Sequence, residues 1–98
     1  MSFQRYETED RRLQTLRLLE QSTGYSANAY LLGTALQGLG HHISYDRVIA
    51  DVEWLAEQDL VTLERVGGVT VATLTTRGGD VATGRTRVSG IKRPQPGE

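Results

Sequence analysis

The chain has no cysteine, so disulfide frameworks and thiolate metal sites are both excluded. It has one methionine, one tryptophan, one phenylalanine and two prolines, so any core must be built mainly from leucine, valine and alanine. No apolar run approaches the roughly 18 residues that span a bilayer. Residues 1–12 are polar and charged, without the apolar stretch of a secretory signal. These absences imply a cytoplasmic protein with no membrane partner. A strong charge of either sign is also lacking: the formal net charge is -1, which argues against a generally basic nucleic-acid binder. The two histidines, His41 and His42, are adjacent. They cannot share a helix face as a metal pair at i and i+4 would. No nucleophile–base set and no phosphate-binding glycine loop stands out. The expectation is a binding protein, not an enzyme, with no cofactor and no metal.

What is present fits one small domain. Ninety-eight residues can bury one modest core. Leu13, Leu16 and Leu19 recur at helical spacing and predict a first helix over 8–21, closed by Gly24. Tyr25 falls in a very short extended segment. Ser26 is a candidate N-cap for a second helix over 27–39, with Leu32, Ala35, Leu36 and Leu39 as its apolar stripe and Gly38 and Gly40 at its end. Ser44 caps a third helix over 45–58, whose buried stripe is Val48, Val52 and Leu55.

After Leu60 the period changes. Val61–Val66 and Val69–Leu74 are rich in β-branched residues and flank Gly67-Gly68, a strong hairpin signal because both turn residues can take positive φ. A two-residue turn pairs Val61 with Leu74, Leu63 with Ala72 and Arg65 with Thr70 on the face toward the core. Val66, Val69 and Val71 then lie on the outer face. Thr75 caps a short last helix over 76–83, with Gly84 as its stop. Residues 85–98 hold both prolines and four bases and read as a flexible basic tail beyond a domain of residues 1–84.

Three helices followed by a β-hairpin is an α+β winged helix-turn-helix plan. The run Val48-Ile49-Ala50-Asp51-Val52-Glu53-Trp54-Leu55-Ala56-Glu57-Gln58-Asp59-Leu60-Val61 resembles a recognition helix entering a wing, and Leu74-Thr75-Thr76-Arg77-Gly78 resembles the close of such a wing. More closely, the chain resembles the small winged-helix proteins of Mu-like phages and prophages, often labelled ArsR-like regulators. The resemblance rests on Asp10-Arg11-Arg12-Leu13, Gly24-Tyr25-Ser26, Trp54-Leu55-Ala56-Glu57-Gln58, Val66-Gly67-Gly68-Val69 and Lys92-Arg93-Pro94. Metal sensing of the ArsR kind is not implied, because its thiolates are missing.

The resemblance implies a transcriptional regulator that binds double-stranded DNA as a homodimer. Its candidate DNA contacts are Ser44, Tyr45 and Arg47 on the third helix, Arg65, Gly67 and Gly68 at the wing, and Arg85, Arg87, Lys92 and Arg93 in the tail. Trp54, Val66, Val69 and Val71 are candidate interface residues. One feature strains this reading. Residues 44–60 hold Arg47 alone against Asp46, Asp51, Glu53, Glu57 and Asp59, with Asp51 expected on the outward face. That acidity favours an alternative: a phage protein-interaction module for assembly or packaging, docking a phage or host protein without reading DNA.

Overall fold

The first helix begins at Phe3, five residues before the expected start at residue 8, because Ser2 offers its hydroxyl to the Arg5 backbone N–H at 3.3 Å. The computed structural model describes residues 2–96, and α1 runs over Phe3–Gln21. Glu7, Glu9 and Asp10 therefore lie beyond its first turn. Leu13, Leu16 and Leu19 are fully buried, as their spacing predicts. Each buried leucine stabilises the fold by about 1.5–3 kcal/mol relative to leaving it exposed.

A 3-10 turn over Thr23–Tyr25 follows, with Gly24 at φ 68 and Tyr25 at φ 57. Tyr25 is thus a turn residue and not part of an extended segment. The extended piece is β1, Ser26–Asn28, so Ser26 does not cap the second helix. It is drawn into a sheet, where its hydroxyl meets the Thr73 hydroxyl at 3.0 Å. Asn28 takes over the cap, accepting from the Leu31 N–H at 2.8 Å, and α2 spans Ala29–Gly38.

Ser44 caps α3, Tyr45–Glu57, as expected. The hairpin also forms as expected, with β2 over Val61–Val66 and β3 over Val69–Leu74 in the register Val66↔Val69 through Val61↔Leu74. The sheet has a third strand that the alternation did not reveal: β1 pairs antiparallel with β3, giving the order β1-β3-β2. Thr75 caps α4, Thr76–Ala82, through the Gly78 N–H. Gly78 has to be glycine. A Cβ there would sit 2.0 Å from the Leu60 carbonyl oxygen.

The end of α3 is closed twice over. The Leu60 N–H reaches back to the Leu55 carbonyl and the Asp59 N–H to the Ala56 carbonyl, with Asp59 at φ 62. This is a Schellman closure, with buried Leu60 resting by Leu55. The carbonyls of Gln58, Asp59 and Leu60 then accept from Arg77 Nε, Thr75 Oγ1 and the Thr75 N–H. The exit of α3 is therefore clasped by the segment that closes the wing.

Residues 85–96 do not leave the domain as a free tail. Ile91 is buried in the core and Val88 packs against it. The Lys92 N–H donates to the Glu9 carbonyl, and Arg12 Nη1 donates to the Gly90 carbonyl at 3.0 Å. Two apolar side chains and two backbone contacts lay this stretch along α1; residues 97–98 of the expected tail fall outside the described residues. Among the described residues, no helix is long and apolar enough to cross a membrane.

Candidate nucleic-acid interface

The outward side of α3 near its N-terminus is formed by Asp46, Arg47 and Ala50, all exposed. Ser44, also exposed, fixes where the helix starts. The Arg47 side chain makes no ion pair or hydrogen bond among the described residues, so its guanidinium is available to an external acceptor. Tyr45 does not simply point outward. Its ring stacks on that of Tyr30, near the start of α2, with centroids 4.3 Å apart and planes at 20°. Tyr30 remains 59 % exposed. The pair ties the first turns of the two helices together, and sequence reading missed Tyr30 because α2 was given an earlier start.

Asp51 overturns the picture of a uniformly acidic reading helix. It is buried, not outward. Arg11, also buried, donates to it from Nε and, at 3.1 Å, from Nη2. The two-point contact matches the planar guanidinium to the carboxylate. One of the five acids of residues 44–60 is thereby neutralised inside the domain. Glu53 and Glu57 are exposed, but both lie on the later turns of α3.

At the wing, Gly67 and Gly68 take φ 59 and φ 81. Arg65 folds back over this turn, with Nη2 donating to the Gly68 carbonyl at 2.9 Å and Nη1 3.4 Å from the Thr70 hydroxyl. It braces the tip while staying exposed. Val66 is exposed beside it. Val69 and Val71 are half-buried, and Val71 belongs to the central strand between Asn28 and Glu64, so the outer face is less open than a bare hairpin would make it.

Trp54 packs under the first helix, and the tail bases lie along the C-terminal segment. Arg12 lies over the Trp54 ring at 3.8 Å from the centroid, and Gly90 approaches so closely that a Cβ there would meet the ring at 3.0 Å. Much of Trp54 is thus covered within the chain by α1 and the C-terminal segment. Burial is the main cause that lowers the Arg12 pKa, against the charge of Asp51 that raises it. Lys92 reaches Asp10 at 3.4 Å, and Arg85 lies 3.9 Å from Asp80. Arg87 and Arg93 are exposed along grooves bordered by α1. The structure brings Ser44, Tyr45 and Arg47 together, and Arg65 with the two wing glycines. The tail bases are not gathered with either group.

Asp10 holds a small polar knot together. His41 Nε2 lies 2.8 Å from one carboxylate oxygen, while Gln14 and Lys92 approach the other. Burial pushes the Asp10 pKa up, but the hydrogen bonds from His41 and Gln14 and the charge of Lys92 together hold it below its ordinary value. His41 thus has a structural partner that links the turn before α3 to α1 and to the C-terminal segment.

No family model matches the chain. It is 26% identical to Sco5413, a MarR family transcriptional regulator from Streptomyces coelicolor, with a TM-score of 0.64 over 74% of this chain. The match spans about half (47%) of that longer protein. The shared architecture is the winged helix, and a label specific to ArsR regulators gains no support from it. The chain is 44% identical over 78 residues to an uncharacterized protein of Haemophilus influenzae, covering 79% of this chain and 76% of that one. It is 52% identical over 89 residues to the uncharacterized protein gp26 of Escherichia phage Mu, covering 91% of this chain and 92% of gp26. On that identity and coverage, the chain belongs to the family of phage Mu gp26.

Proposed function

We propose that the protein is a DNA-binding regulator of phage origin that acts as a dimer in the cytoplasm, with the first turns of α3 set against a groove and the wing against the flanking backbone. The observation that carries this reading is the placement of Arg47. It stands exposed and, among the described residues, unpaired at the start of α3, on a fold shared with a transcriptional regulator, while Asp51 is withdrawn into the core. An arginine at this point of a reading helix can donate in bidentate fashion to guanine or to phosphate. Ser44 and Tyr45 sit beside it, and Arg65 with Gly67 and Gly68 offers a second contact at the wing tip. Arg85, Arg87, Lys92 and Arg93 act, in this reading, through long-range attraction to the duplex.

The test is fluorescence anisotropy with labelled fragments of the encoding genome across a salt series. Each phosphate contact contributes a log–log slope of roughly -0.9. Arg47→Ala is expected to weaken the preferred fragment more than random DNA, because base contacts carry sequence information. No binding to any fragment at about 50 mM salt, where phosphate contacts are strong, would overturn the reading. A docking module for a phage or host protein is the second reading. It is favoured by one feature, the exposure of Tyr30 and its neighbour Leu31 beside the reading helix.

A further inference from the structure

The two stacked tyrosines at the starts of α2 and α3 are unequal. Tyr45 is half-buried and packs against the core, so its ring is a fixed base. Tyr30 lies on that base with ring centroids 4.3 Å apart, yet stays 59% exposed. The close approach of the two helices continues one turn later, where a Cβ on Gly33 would touch Val48 at 3.5 Å. Among the described residues, neither tyrosine hydroxyl has a hydrogen-bond partner. An exposed side chain ordinarily changes rotamer freely; this one is held by the ring beneath it. The outer ring is thus a positioned, neutral donor set one ring layer to the side of α3.

We propose that Tyr30 is a further DNA contact, donating its hydroxyl to a backbone phosphate at the edge of the groove that α3 enters. The proposal rests on the DNA-binding reading above. Size decides where the ring falls. An α-helix with its side chains is about 10–12 Å across and the major groove about 12 Å wide, so α3 alone fills the groove. A ring stacked on the flank of its first turn has no room over the base edges and meets the groove wall, which is sugar and phosphate. Phosphate oxygens accept hydrogen bonds, which suits a hydroxyl donor. The charges of the same turn point the same way. Asp46 and Arg47 are both exposed and cancel, so this flank draws phosphate only weakly through its field and needs a directed bond. Because the stack already fixes the ring, binding has little side-chain freedom left to freeze there. Tyr30 therefore sets how α3 sits along the groove, while Arg47 reads the bases within it.

Fluorescence anisotropy of the wild type, Tyr30→Phe and Arg47→Ala tests it, on the preferred fragment and on random DNA over about 50–200 mM salt. Tyr30→Phe keeps the stack and removes only the hydroxyl. It is expected to weaken both DNAs equally, by about 3- to 10-fold, the scale of one hydrogen bond. The salt slope should not change, since a neutral donor displaces no counterion. Methylphosphonate replacement of single phosphates should then find a linkage whose change weakens the wild type more than it weakens Tyr30→Phe. Tyr30→Leu, which also removes the stack, should bind more weakly than Tyr30→Phe, with circular dichroism showing the fold retained. If Tyr30→Phe binds like the wild type while Arg47→Ala does not, this proposal is overturned and the DNA reading stands; Tyr30 and Leu31 then pass to the protein-docking reading. A loss confined to the preferred fragment, or a shallower salt slope, also overturns it. A wild type that binds no DNA overturns both.

Discussion

Asp51→Ala removes one half of a buried ion pair and leaves the other in place. Arg11 and Asp51 have side chains only 7% and 5% exposed, so water cannot reach in to replace the lost partner. Arg12 is the chain neighbour of Arg11 and feels both its repulsion and the attraction of Asp51, so the deletion also takes one of its two compensating charges from Arg12 and leaves Glu9. Breaking such a pair from one side costs about 3–5 kcal/mol. A chain of this size has about 5–15 kcal/mol in total. With a urea slope of about 1 kcal/mol per molar, the unfolding midpoint should fall by about 3–5 M. The melting temperature should fall by about 12–40 °C. Arg11→Met with Asp51→Leu, which removes both charges and keeps apolar bulk, should lie near the wild type. The wild type, Arg11→Met, Asp51→Leu and the double variant form a double-mutant cycle whose coupling term is read from urea melts followed by circular dichroism. An Asp51→Ala loss below about 1 kcal/mol would place Asp51 at the surface and refute the burial argument. For the same reason, charge reversal at Asp51 is no test of a surface contact, because it disrupts the domain itself.

Gly78→Ala should destabilise by about 1–3 kcal/mol or more through overpacking against Leu60, although alanine is the better helix former. Gly79→Ala, whose new methyl would meet only Leu74 at 3.8 Å, should instead gain stability by up to about 1 kcal/mol; thermal melts of the two variants should move in opposite directions. The lowered pKa of Asp10 means the folded chain holds that proton less tightly than the unfolded one. Its contribution is therefore complete above the unfolded value of about 3.9 and is lost as pH falls through the lower folded value. Asp10→Asn should flatten this part of the acid limb in urea midpoints measured from about pH 2 to 6, and an unchanged limb would show that the knot with His41 and Lys92 contributes nothing.

Much of the fold was legible because its signals are local. Gly67-Gly68 set the hairpin register pair by pair, and Ser44 and Thr75 announced their helices. The first strand was not legible: three residues are too few to show an alternating period, and Ser26 looks like a helix cap until Thr73 is placed beside it. The buried pair had a signal that went unread. Asp51 falls three residues after Val48 and four before Leu55, on the same stripe, and a charge on a buried stripe calls for a partner. Which partner could not be read, since Arg11 is 40 residues away in the chain. The placement of 85–96 was obscured by composition. Two prolines and several bases suggested a free tail, while Val88 and Ile91, the two residues that anchor it, are too sparse to form a pattern. The same omission left Trp54 without its cover. In the candidate interface, Arg47 was visible as the lone base of its helix, but the stacking of Tyr45 on Tyr30 depends on where α2 begins.

The clasp at the end of α3 has a mechanical meaning. Three successive carbonyls at the helix exit are held by Thr75 and Arg77, and Leu60 is locked between the helix it leaves and the glycine of α4 that fits only against its backbone. There is no hinge at this junction. Helix and wing are one rigid part, like two prongs of a single casting, with the angle between them fixed by the fold. Tilting one prong tilts the other, so a change in what the pair can straddle must come from repositioning the whole domain.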